Sequence, residues 1–177
     1  MSDLSSSTVE GIVTSNITDA PKPFDSSAKR ADVILCSRDS KKFYVLKSLL
    51  SLASPVFETM FSSRKGQENG EKIPFIPVEE DSTTLYNLLL LIYPYNKKPS
   101  STIDICFEMA EAARKYDTED VDKKIRGLVV SGISSKEALR VFAIAVYLKW
   151  EDVTKVATYA TLKCLCVTLA GVKRWNS

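Results

Sequence analysis

Histidine does not occur anywhere in this 177-residue chain. Its absence removes Ser-His-Asp and Cys-His nucleophile pairs, along with the commonest metal ligand and acid–base group. An excess of charge of one sign is missing too: 24 Lys and Arg stand against 22 Asp and Glu, a net charge of +2. So even a balance makes no strong field, and Lys41-Lys42 and Lys97-Lys98 are isolated pairs that read as solvated turns. There is no zinc finger or basic helix, so direct contact with nucleic acid is not expected. Cysteine is sparse. Cys36, Cys106, Cys164 and Cys166 lack Cys-x-x-Cys spacing, and Cys164-x-Cys166 alone cannot complete a tetrahedral site. Each lies in an apolar run, which reads as a buried free thiol in a reducing compartment. Residues 1–20 are rich in Ser and Thr and lack the continuous apolar core of a secretory signal. Lys155 and Lys163 interrupt the apolar C-terminal segment, so no membrane span is expected. These exclusions predict an intracellular chain, cytoplasmic or nuclear, without metal, cofactor or catalytic site.

What the chain does have is concentrated in residues 43–61. Phe43 and Val45 alternate as a strand that runs straight into a leucine-rich helical turn containing Leu50. Ser54-Pro55 then starts a second helix, with serine placed to cap and proline in the first helical position. Val56, Phe57, Met60 and Phe61 follow at helical spacing and form an apolar stripe, so Leu50, Val56, Phe57, Met60 and Phe61 are assigned to the core of a helical hairpin.

The rest of the chain arranges itself about that hairpin. Residues 1–28 show no sustained period and are expected to be a disordered leader, with order beginning near Lys29. Ala31–Cys36 and Lys42–Leu46 read as a strand pair joined by the turn residues Arg38-Asp39-Ser40-Lys41. Two prolines within Ile73–Val78 confine that segment to a sheet edge. Asp81 or Ser82 is placed to cap a helix over Thr83–Ile92, and Thr102 to cap one ending at Lys115. Val121, Ile125, Leu128 and Val129 mark a further helix. Ser134-x-x-Glu137 has the form of a capping box for a helix over Ser135–Lys149, with Leu139, Phe142, Ala143 and Val146 inward. A last helix is expected over Glu151–Leu169, ended by Gly171. A few short strands followed by helices almost without break define an α+β class.

Several of these stretches resemble a known family. Ala31-Asp32-Val33-Ile34-Leu35, then Leu50–Phe57, then Met60-Phe61, with Ile92-Tyr93-Pro94 and Ala112–Asp117 in order, are similar to a BTB/POZ domain, and closest to its large fungal group. The resemblance covers residues 29–130, and residues 134–170 resemble the helical extension that follows in that group. It implies a helical cluster capped by a small, mostly antiparallel sheet, and a role in protein–protein association without catalysis. The partners implied are proteins: a second copy in a homodimer, or a cullin scaffold in a ubiquitin ligase. Substrate adaptor of such a ligase and dimerisation arm of a transcriptional regulator are the alternative roles.

The chain departs from the family pattern in three places. Leu46 stands before Lys47 where a histidine is usual, and residues 1–28 carry no amphipathic stripe of the kind that dimeric members exchange. The loop Ser62–Lys72 has Gly66 and Asn69 two residues before its glutamates, where tight cullin binders carry an apolar residue. Cullin binding is therefore expected to be weak. Four residues are candidates for an interface: Asp32, Lys47, Tyr93 and Tyr95. Asp32 lies in an otherwise apolar strand, where a carboxylate must be paired, and Lys47 is a candidate partner for it. Tyr93 and Tyr95 are aromatic and follow a helix end, as interface anchors often do.

Overall fold

The computed structural model describes residues 17–63, 73–134 and 137–173, with only the helical backbone over 164–173. In chain order the elements are β1 (Thr18–Asp19), β2 (Val33–Cys36), β3 (Lys41–Val45), α1 (Lys47–Ala53) and α2 (Pro55–Ser62). They are followed by β4 (Phe75–Pro77), α3 (Ser82–Ile92), α4 (Ile103–Lys115), α5 (Glu119–Gly132), α6 (Ala138–Tyr147) and α7 (Glu151–Lys173). The sheet order is β1-β3-β2-β4. The hairpin β2–β3 is antiparallel, with Val33 opposite Val45 and Leu35 opposite Phe43. Parallel pairings flank it on both sides, β1 on β3 and β4 on β2, so the sheet is mixed rather than mostly antiparallel. β4 lies at the edge, as Pro74 before it and Pro77 at its end require, and the Pro74 carbonyl still accepts from Ile34 N–H at 2.8 Å.

Side chains of Val33, Leu35, Phe43 and Val45 are fully buried and meet Leu50, Phe57, Leu85, Leu88 and Leu89 from the helices in one core. Ser54 caps α2 as its position suggests, accepting from Phe57 N–H at 3.1 Å with Pro55 in the first turn. Its hydroxyl also donates to the Tyr116 carbonyl, so one side chain joins the start of α2 to the end of α4. Leu50, Phe57 and Phe61 are buried, whereas Val56 and Met60 lie at the margin of the core and pack against it. Phe57 stacks on the Tyr116 ring at 4.3 Å and on Phe61 at 5.9 Å. Asp81 caps α3 by accepting from Thr84 N–H at 2.7 Å. Asp39, in the β2–β3 turn, adds a second cap to α3, accepting from Ser82 N–H at 2.7 Å and from its hydroxyl at 2.6 Å.

Several local expectations give way. Residues 17–28 are not a disordered tail: Thr18–Asp19 pairs with Lys41–Lys42, and Ala20 and Phe24 are buried. Phe24 enters an aromatic socket of Phe43, Tyr86, Tyr93 and Tyr95, with ring centroids 5.2–6.3 Å away. The Tyr86 hydroxyl donates to the Lys22 carbonyl at 2.9 Å. The remainder of the expected leader and most of the loop Ser62–Lys72 lie outside the described residues. Thr102 precedes α4 but makes no side-chain cap. Among the described residues the predicted capping box makes no bond: α6 begins at Ala138 after Glu137, whose side chain makes no cap there, and the expected start at Ser135 lies outside the described residues.

The inward face of α6 is Ala138, Val141 and Ala145, continuing to Leu148, while Leu139 and Val146 are 67% and 51% exposed. That face is one residue, or about 100°, away from the predicted one. Helix α7 also runs through Gly171 to Lys173 rather than stopping before it.

Trp150 joins these last helices to the rest. It is buried, its indole N–H donates to Asp122 at 3.1 Å, and the Arg126 guanidinium lies 5.5 Å over its ring. Arg126 in turn donates from Nε to Asp122 at 2.8 Å. No helix among the described residues is long and apolar enough to cross a membrane.

Candidate functional site

Helix α1 starts without a cap of its own. Its N-cap position is Leu46, whose side chain cannot accept a hydrogen bond. Two open N–H groups find acceptors elsewhere: Leu46 N–H donates to the Tyr93 hydroxyl at 2.7 Å, and Lys47 N–H donates to the Asp32 carboxylate at 2.7 Å. Asp32 thus meets Lys47 at the backbone N–H and not at the expected ammonium. No ion pair of Lys47 occurs among the described residues. Asp32 itself is exposed, at the entry to β2, so its charge remains in water while it serves the helix end.

Tyr93 is buried rather than surface-displayed. Burial pushes its phenol up to about 12, against the bond from Leu46. Its ring lies edge-on to Phe24 at 5.2 Å and stacks with Tyr95 at 5.5 Å and 8°. Tyr95 is 43% exposed, so of the two tyrosines it is the one that an incoming chain can touch. All four candidates therefore converge on the start of α1. Beside it runs a groove of about 340 Å³, floored by Val45, Leu46 and Leu49, walled by Tyr44 and Tyr95, and bordered by Lys29 and Arg30. Sequence reasoning missed Phe24, which supports this wall from behind, because no local period marks it.

A second polar cluster is structural in form. Glu79 and Glu80, just before α3, both reach Lys115 Nζ, at 2.8 and 2.9 Å. The Tyr116 hydroxyl donates to Glu80 at 2.5 Å, and burial first, then Glu80, raises that phenol. Cys36 and Cys106 are buried free thiols, and burial pushes Cys106 up to about 11, away from thiolate chemistry. The side chains of Cys164 and Cys166 lie outside the described residues. Among the described residues no group of three His, Cys, Asp or Glu could hold a metal ion.

The family described as BTB/POZ domain matches residues 22–133, more than half of the chain, and the chain belongs to that family. Among solved structures it is similar to the BTB domain of zebrafish PATZ1, at 18% identity and a TM-score of 0.46, over 60% of this chain and 86% of that one. It is also similar to the BTB domain of human Gigaxonin, at 19% identity and a TM-score of 0.46, over 58% of this chain and 83% of that one. No curated protein matches the chain. BTB domains are in general non-catalytic modules for protein–protein interaction. The matched span begins at residue 22 and so takes in Phe24, which the expected start at Lys29 leaves out.

Proposed function

We propose that this chain works as an interaction module that associates with itself or with an adaptor, through the surface around the start of α1, and that it binds a cullin weakly. The observation that carries this reading is the convergence of Asp32, Lys47, Tyr93 and Tyr95 on one helix end beside an apolar groove. Apolar floor, aromatic wall and charged border are the anatomy of a protein interface, with Tyr95 as the exposed anchor. Where helix-exchanging relatives carry an amphipathic helix, residues 17–28 here form β1 and turns, which favours association by surface contact over exchange of that helix. Weak cullin binding rests on the sequence of Ser62–Lys72, which supplies no apolar anchor before Ile73.

Light scattering at micromolar concentration tests the first part. A dimer that becomes monomeric on Tyr95→Ala is the expected result, and a monomer that binds no protein at this face sinks the reading. Calorimetry against a purified cullin N-terminal domain tests the second. A submicromolar dissociation constant would make ubiquitin-ligase adaptor the primary role.

A further inference from the structure

Helix α1 separates two grooves, and only Leu49 lines both. The second, of about 380 Å³, lies between the end of α1, the end of α3 and the start of α5. Its floor is apolar: Leu49, Leu91, Ile92 and Val121. At its lip stands Leu52, 84% exposed, the most exposed large apolar side chain among the described residues. A single exposed leucine is ordinary, but one that extends an apolar groove is not.

The rim carries Asp117, Glu119 and Asp120 against one lining cation, Lys124. Lys124 is engaged, its Nζ donating to the Leu91 carbonyl at 2.7 Å. Lys123 is held by Glu119 at 2.9 Å and lies 3.9 Å from Asp120. Asp117 has no ion-pair partner among the described residues and is exposed, in the turn before α5 at a φ of 50°.

We propose that this groove docks a short cationic, amphipathic segment of a partner protein. A bulky apolar side chain would lie on Leu52 and the floor, and a lysine or arginine would face Asp117 and Asp120. Charge complementarity selects this occupant over an acidic one, because the lining carries three carboxylates, Asp117, Glu119 and Asp120, against the single lysine Lys124. The site is distinct from the surface around Tyr95, so peptide binding here and self-association there can fail separately.

The test is selection from a displayed library of random dodecapeptides against the full chain, followed by fluorescence anisotropy on the enriched peptides. Enriched sequences should pair large apolar residues with Lys or Arg. Leu52→Glu should weaken them by about tenfold or more, as loss of an anchor does. Asp117→Asn with Asp120→Asn should weaken them about two- to fivefold, with less dependence on salt. Asn tolerates the positive φ at position 117, so the charge is removed without straining the turn. Enriched peptides that are acidic, or that bind Leu52→Glu unchanged, overturn the proposal. So does a wild-type dimer that Leu52→Glu converts to monomer, since a second copy would then be the occupant. An unchanged thermal transition in each variant separates lost binding from lost folding.

Discussion

The indole N–H of Trp150 donates to the Asp122 carboxylate at 3.1 Å, across the seam between α5 and the start of α7. The same carboxylate takes Arg126, so removing it leaves the buried indole N–H without its acceptor and Arg126 with only Asp152, at 3.5 Å. Asp122→Ala should cost ~1–3 kcal/mol, the usual price of an orphaned buried donor. Trp150→Ala should cost ~3–5 kcal/mol, because a fully buried ring leaves a cavity. Chemical denaturation followed by circular dichroism gives both values. If the two variants cost the same small amount, the seam is not a fixed joint.

Phe57 is the second test of the core. It lies fully buried between Phe61 and Tyr116, so Phe57→Ala should destabilise by ~3–5 kcal/mol, enough to unfold a marginal domain. A loss under about 1 kcal/mol would be too small for a core aromatic.

Phe24 gives a prediction that its local sequence does not. Phe24→Ala should also cost ~3–5 kcal/mol, because the ring fills a socket made by four other aromatic residues. Deleting residues 1–27 should lower the melting temperature markedly, since it removes β1 and Phe24 together. An unchanged transition after that deletion would show that the segment adds nothing to the domain.

Asp39 predicts an acid limb. Partial burial works to raise its carboxyl, but hydrogen bonds from Ser82 and Ser37 outweigh it and hold the group below the ordinary 3.8. A carboxyl lowered on folding adds stability above its unfolded value, and that stability is lost as pH falls through the folded one. Asp39→Asn should therefore be less stable than wild type at neutral pH, with the difference shrinking as pH drops below 3.8. Urea midpoints across that range decide it, and a difference independent of pH would refute the assignment.

How much of this was legible depends on whether the signal was local. Ser54-Pro55 and Asp81 announce their helices because a cap and its target lie within three residues of each other. The hairpin over Val33–Val45 shows itself by strand composition and turn residues. Phe24 does not, because its burial depends on four rings that the chain supplies much later.

The face of α6 was misjudged because Leu139, Phe142 and Val146 satisfy the helical period as well as Val141, Ala145 and Leu148 do. Tertiary packing against α7 and the turn at Lys149, with its φ of 56°, chooses between them. At the candidate site, Asp32 is exposed rather than buried in its strand, yet it still has a partner. That partner is a backbone N–H, which no side-chain identity can reveal.

The uncapped start of α1 also bears on the order in which the chain can assemble. Seven residues are too few to hold a helix in water alone, and this helix has no start signal of its own. Tyr93 comes from 47 residues downstream and Asp32 from 15 upstream. Helix α1 should therefore close late, after β2 has formed and the end of α3 has docked, and its first turn should be among the earliest to open. Amide exchange at Leu46 and Lys47 would then report the arrival and departure of distant parts of the chain.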